Sequence, residues 1–126
     1  MKLEKFEMYL ESSERSKTMI NPQLKKGALE LCVLSQLIHS DKYGYELTET
    51  ISEVMTIATG TLYLVLKRLK DEEYVETYLV ESMEGPARKY YHLTDKGRNY
   101  QNELKQDWEE FTNHVSYLIR KGETNE

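Results

Sequence analysis

Thr59-Gly60-Thr61-Leu62-Tyr63-Leu64-Val65-Leu66-Lys67-Arg68-Leu69-Lys70 has an apolar side and a basic side when wound as a helix at about 100° per residue. Leu62, Val65, Leu66 and Leu69 share one stripe, and Gly60, Tyr63, Leu64, Lys67 and Arg68 lie on the far side. A helix patterned this way buries one face and presents the other. The stretch holds three basic residues and no acid, in a chain whose net charge is -5. A negatively charged partner is expected, and an α-helix fits the DNA major groove.

Upstream, Leu24 to His39 is apolar on nearly every side, which predicts a buried central helix. Cys32 reads there as a small core residue rather than a nucleophile. Ser40-Asp41 supplies a turn and an N-cap. Tyr43-Gly44-Tyr45-Glu46-Leu47 then opens a second helix, with Leu47, Ile51 and Val54 facing inward and Tyr45 as a packing residue. Met55 to Ala58 is a short connection, and Thr56 or Thr59 is expected to cap the third helix. Three helices with a tight link between the second and third make a helix-turn-helix core.

Downstream, the period falls to two. Val75, Thr77 and Leu79 alternate with Glu76, Tyr78 and Val80, and Arg88 to Thr94 reads as a partner strand across a Glu81–Pro86 loop. A β-hairpin after the third helix is a wing. Thr94-Asp95 then caps a last helix running to about Lys121, whose apolar positions Leu104, Trp108, Phe111, Val115 and Leu118 form a coiled-coil-like seam in need of a partner. The fold expected is mainly α with a β-hairpin wing. Its parts are an N-terminal extension (1–22), a winged helix-turn-helix domain (23–94), a C-terminal dimerisation helix (95–121) and a disordered tail (122–126). In the extension Leu3, Phe6 and Leu10 fall at helical spacing, a stripe that either frays or docks on a second subunit.

Composition narrows the function classes. A chain of 126 residues suits one domain with an appended arm, and its single cysteine allows neither an internal disulfide nor a thiol-based metal site. No apolar run reaches membrane-spanning length and the N-terminus lacks a signal peptide's apolar centre, so a cytoplasmic protein without a membrane partner is expected. His39, His92 and His114 lack metal-ligand spacing, and no glycine-rich phosphate loop is present, so neither catalysis nor a cofactor is expected. Charge is blocked along the chain. Residues 71 to 87 hold six acids and no base, whereas residues 88 to 98 hold Arg88, Lys89, Lys96 and Arg98 against Asp95 alone.

Leu24-Lys25-Lys26-Gly27, Tyr43-Gly44-Tyr45-Glu46-Leu47, Gly60-Thr61-Leu62-Tyr63, Leu66-Lys67-Arg68-Leu69, Gly85-Pro86-Ala87-Arg88-Lys89-Tyr90-Tyr91 and Leu93-Thr94-Asp95-Lys96-Gly97 follow one another in an order and spacing that resemble the PadR family of transcriptional regulators. The resemblance runs from about Leu24 to Lys121. It implies a winged helix-turn-helix homodimer held by a single long C-terminal helix. It further implies a repressor on an inverted-repeat operator, released by a small aromatic or lipophilic effector. Leu64 stands where that family usually has proline, Glu73 where a glycine usually ends the third helix, and the first twenty-odd residues are an extension.

On this reading double-stranded DNA is met by Tyr63, Leu64, Lys67 and Arg68 on the third helix and by Thr59, Gly60 and Thr61 at its N-terminus, where backbone N–H groups favour phosphate. Tyr43 donates to the phosphate backbone, and Arg88 and Lys89 make phosphate or minor-groove contacts unless Glu76 or Glu84 pairs with them. Trp108 serves either as an interface anchor or as one wall of an effector pocket. The competing function is a winged helix used only for protein contacts.

Overall fold

The computed structural model describes residues 22–124. The expected N-terminal helix through Leu10 and the last two residues of the tail lie outside the described residues. The described residues form seven elements: α1 (Pro22–Gln36), β1 (Lys42–Tyr43), α2 (Gly44–Val54), α3 (Thr59–Asp71), β2 (Val75–Ser82), β3 (Gly85–Leu93) and α4 (Asp95–Glu123). Proline suits the first position of α1, because its fixed φ matches the helix and its missing N–H would have had no partner there.

The core follows the expected stripes. Leu29, Val33 and Leu34 of α1 meet Leu47 and Ile51 of α2, and Leu62, Val65, Leu66 and Leu69 of α3 close the other side. Val75, Tyr91 and Leu93 add the base of the sheet. Each such side chain contributes roughly 1.5–3 kcal/mol by leaving water. Leu37 belongs to this core although α1 stops at Gln36, because a tight turn (Leu37 N–H to Leu34 O, 3.1 Å) folds it back inward. Val54 departs from expectation and is 82% exposed. It ends α2, and Met55 and Ile57 of the connection pack on the core beyond it.

The sheet has three strands in the order β1-β3-β2, all antiparallel, rather than a hairpin alone. β1 was not legible as a strand. Lys42 pairs with Tyr91 and Tyr43 with Tyr90, which moves the cap of α2 from Asp41 to Tyr43. The Tyr43 N–H is received by the Glu46 carboxylate at 3.2 Å, half of a capping box. Asp41 is spent elsewhere: Tyr78 Oη donates to it at 2.6 Å and His92 Nδ1 lies 2.8 Å from its other oxygen. The wing turn is also tighter than the expected loop, with Ser82 opposite Gly85 and only Met83-Glu84 between them. Alternating burial survives only at the hairpin's base, since Tyr78, Leu79 and Val80 are all exposed as it runs out into solvent.

α3 ends in a Schellman motif. Glu73 N–H bonds Lys70 O and Tyr74 N–H bonds Leu69 O, both at 2.9 Å. Glu73 supplies the left-handed residue with φ 64°, in the place where glycine is usual. The carbonyls of the next residues, Glu72 to Tyr74, receive α4. Thr94 Oγ1 donates toward Glu73 O (2.8 Å) and Tyr74 O (3.0 Å) while accepting the Gly97 N–H at 2.9 Å, and Lys96 Nζ reaches Glu72 O at 2.8 Å. Gly97 is required sterically: a Cβ there would lie 1.9 Å from Tyr74 O.

α4 runs to Glu123, two residues past the expected Lys121, so 122 and 123 are helix rather than tail. The five positions of its expected seam divide. Leu104 packs on the chain's own core. Phe111 and Val115 are half-buried, Trp108 is 37% exposed and Leu118 is 61% exposed, beside exposed Tyr117 and Ile119.

Candidate nucleic-acid interface

α3 turns its apolar stripe into the core, which leaves Tyr63, Leu64 and Lys67 facing out. Leu64 is 68% exposed, so it does not pack against a neighbour among the described residues. Lys67 Nζ bonds Asp71 one turn later at 2.9 Å, with both side chains mostly in solvent. Such exposed pairs are worth roughly 0.3–0.5 kcal/mol, so Lys67 is released from Asp71 at little cost.

At the helix's start neither Thr56 nor Thr59 caps it with a side chain. The cap is Ala58, whose carbonyl takes the Thr61 N–H at 3.0 Å and the Leu62 N–H at 3.3 Å. The amides of Thr59 and Gly60 precede that first bond and point off the end of the helix. Both residues are exposed, Thr61 is half-buried, and a Cβ on Gly60 would meet nothing within 4 Å. No internal neighbour therefore demands glycine at 60.

Gly44 draws the remaining residues together. A Cβ there would sit 3.1 Å from the Tyr91 ring, 3.8 Å from the Tyr63 ring and 3.8 Å from Lys89 O, so the start of α2 lies close against α3 and β3. That brings Tyr43, Tyr63 and the Arg88-Lys89 strand segment close together. Arg88 and Lys89 sit within β3, opposite Val80 and Leu79, rather than at the turn. Neither has an ion pair with Glu76 or Glu84. The Arg88 guanidinium instead lies over the Tyr43 ring, 5.1 Å from its centroid.

Arg68 is the member of the expected set that the structure does not bring to this surface. Its Nη1 donates to Glu30 Oε2 at 2.6 Å, and the Glu30 side chain is only 4% exposed. Leaving a buried carboxylate without its partner costs on the order of 3 kcal/mol, somewhat less where the partner is half in solvent. That still exceeds the cost of freeing Lys67. Sequence periodicity placed the two together because Arg68 lies on the margin of the face, about 60° from Val65.

A row of tyrosines, exposed at Tyr78 and Tyr45 and half-buried at Tyr90 and Tyr43, runs from the outer sheet face to the start of α2 and is not evident from the sequence. Tyr78 stacks on Tyr90 with centroids 5.7 Å apart, Tyr90 meets Tyr43 at 6.0 Å, and Tyr43 meets Tyr45 at 6.1 Å. Tyr45, expected to pack, is 57% exposed within this row. Period-two spacing along β2 and β3 carried that signal, but the third strand that completes the row did not. At its end the hydrogen bonds from Tyr78 and His92 hold the Asp41 carboxyl below its ordinary range, and the bond to Asp41 raises Tyr78 above its own.

Trp108 lies apart, on α4. The hollow between α1 and α4, about 430 Å³, is bordered by Leu31, Ser35, Ile38, His39, Gln101 and Lys105, and Trp108 is not one of its walls. No helix among the described residues is long and apolar enough to cross a membrane.

Comparison with known proteins agrees with this architecture. The model of the transcriptional regulator PadR-like family matches residues 33–103. An uncharacterised protein of Lysinibacillus sphaericus is 34% identical over 96 residues, which is 73% of this chain and 88% of that protein. Among solved structures, a PadR-like transcriptional regulator from Bacillus cereus is 37% identical, with a TM-score of 0.68 over 77% of this chain and 96% of that one. A PadR family transcription regulator from Clostridium difficile is 30% identical, with a TM-score of 0.66 over 72% and 97% of the two chains. With a winged helix-turn-helix fold, a matching family model over more than half its length and relatives of this similarity, the chain belongs to the PadR-like family of transcriptional regulators.

Proposed function

We propose that the protein is a sequence-specific DNA-binding regulator that acts in the cytoplasm as a two-fold dimer on an inverted-repeat operator. The observation that carries this reading is the gathering of Tyr43, Tyr63 and the Arg88-Lys89 segment around Gly44, beside the outward Lys67. α3 enters the major groove with Tyr63 and Lys67 at the bases or phosphates and Leu64 against a thymine methyl. The Thr59 and Gly60 amides and Thr61 meet a phosphate, and Tyr43, Arg88 and Lys89 fix the register through the backbone.

Dimerisation uses the outer half of α4, where Trp108, Phe111, Val115 and Leu118 lie along one helix, while Leu104 at its root serves the chain's own core. In this reading the regulator is a repressor, and a small aromatic or lipophilic effector releases it by binding near Trp108. Trp108 is the only tryptophan, so its fluorescence reports that region alone. Trp108→Ala should loosen the dimer. A wild-type protein that sediments as a monomer at micromolar concentration would sink the dimer, and releasing compounds that leave the emission unchanged would sink the pocket alone.

A contact module for another protein is the competing reading, and exposed Leu79 and Met83 on the wing favour it. A salt-titrated DNA shift assay decides between them. Phosphate contacts weaken steeply and linearly in log salt, whereas no binding at low salt would leave the protein-contact reading standing.

A further inference from the structure

Glu30 is an acid in the middle of α1, between Leu29 and Leu31, and is 3% exposed. Its carboxylate is met by two groups from two other helices. Arg68 Nη1 of α3 donates to Oε2 at 2.6 Å, and Tyr100 Oη of α4 approaches the same oxygen at 3.4 Å. The Tyr100 ring in turn stacks on Tyr74, with centroids 4.1 Å apart and planes 12° from parallel. Tyr74 is the residue whose N–H closes the C-terminal end of α3 on Leu69 O.

Two neighbouring cations on α3 are thus sorted by their partners. Lys67 has an exposed, easily exchanged carboxylate, and Arg68 has a buried one. We propose that Arg68 is a positioning residue: its guanidinium is retained by Glu30 when DNA is bound, and it sets the rotation of α3 about its own axis so that Tyr63, Leu64 and Lys67 face outward. Tyr100 ties the same point to the root of α4. A planar, branched donor on a buried acceptor holds direction as well as distance, which a lysine in its place would not. The inference rests on α3 being the DNA-reading helix, as proposed above.

The two roles of Arg68 predict opposite results for a change made at Glu30. Glu30→Gln removes no positive charge and loosens Arg68. A guanidinium bound for DNA would then bind better, whereas a positioning guanidinium would lose its anchor. The probe is a duplex selected by the wild-type chain from a random-sequence pool, with a duplex of unrelated sequence as control. Affinity is measured against salt for the full chain and for Glu30→Gln, Arg68→Gln and Lys67→Gln.

In the expected result, Glu30→Gln and Arg68→Gln each weaken the selected duplex about tenfold, leave the control duplex unchanged and keep the wild-type salt slope. Lys67→Gln lowers that slope by about one unit. An Arg68→Gln slope lower by about one unit, a tighter Glu30→Gln, or a folded Glu30→Gln with wild-type affinity each overturns the proposal. If Glu30→Gln does not fold, the slope of Arg68→Gln against that of Lys67→Gln decides alone. A wild-type chain that selects no duplex defeats the DNA-reading function itself, an outcome separate from any result on the variants.

Discussion

Arg88 lies over the ring of Tyr43, with its guanidinium carbon 5.1 Å from the ring centroid, so a cation of the wing is held against the residue that caps α2. Contacts of this kind are worth about 0.5–1 kcal/mol at exposed sites, enough to orient an arginine and too little to keep it from a phosphate. Changing Arg88 and Lys89 together to Gln should flatten the dependence of DNA affinity on log salt by roughly one to two units without altering the preferred sequence. A changed preference with an unchanged slope would contradict the backbone role.

Lys67 and Tyr63 test the outer face of α3. Either residue changed to Ala should leave the fold intact, because both side chains are exposed. Operator binding should fall by about 1–3 kcal/mol for a base contact, with relaxed preference at one position. Selection of binding sites by each variant, compared with wild type, reads both quantities, and wild-type behaviour in both variants would remove this face from the interface.

Glu73 holds a left-handed φ of 64° that glycine adopts without steric cost. Glu73→Gly should therefore stabilise the fold by about 0.5–1 kcal/mol despite the added freedom of the unfolded chain. Urea titration with an unchanged m-value is the check, and a destabilised variant would mean that the Glu73 side chain contributes more than its backbone strain costs.

Tyr100 is pushed up to about 12, first by burial and then by the nearby Glu30 carboxylate. A raised pKa in the folded state means that the folded chain holds this proton more tightly than the unfolded chain does. The stability it represents is complete below about pH 10, the unfolded value, and is lost as pH rises from there toward 12. NMR titration of ring signals should show one tyrosine lagging well behind the exposed ones, and Tyr100→Phe should remove both that late titration and its share of the alkaline loss. A Tyr100 that titrates near 10 would refute the assignment.

The helix-turn-helix and wing were legible because buried stripes repeat at 3.6 and 2 residues, and Leu62, Val65, Leu66 and Leu69 occupy the positions that their spacing required. What escaped depends on partners distant in sequence. Two residues of β1 carry no period, and only Tyr90 and Tyr91, far along the chain, make Lys42-Tyr43 a strand. Glu30 is one polar residue among apolar ones in the sequence, and its burial becomes tolerable through Arg68 and Tyr100, 38 and 70 residues away. A helical wheel puts Arg68 outward because it counts angle and not the reach of a long side chain toward Glu30. The cap of α3 falls on Ala58, which offers the first bonds only its backbone carbonyl, and neither threonine adds a side-chain one.

The root of α4 is spliced into the end of α3: Thr94, Lys96 and Gly97 together engage the carbonyls or close packing of Glu72, Glu73 and Tyr74. With no room at Gly97 for even a methyl group, that joint has little slack. A helix of 29 residues extends about 43 Å from it, so a tilt of about 5° at the joint swings the far tip by roughly 4 Å. Run in reverse, the same gearing turns a displacement of several ångströms at Tyr117 or Leu118 into a few degrees at Tyr74. A grip on the tip of α4 would thereby bear on the angle of α3, damped by the packing of Tyr100 and Leu104 on the core.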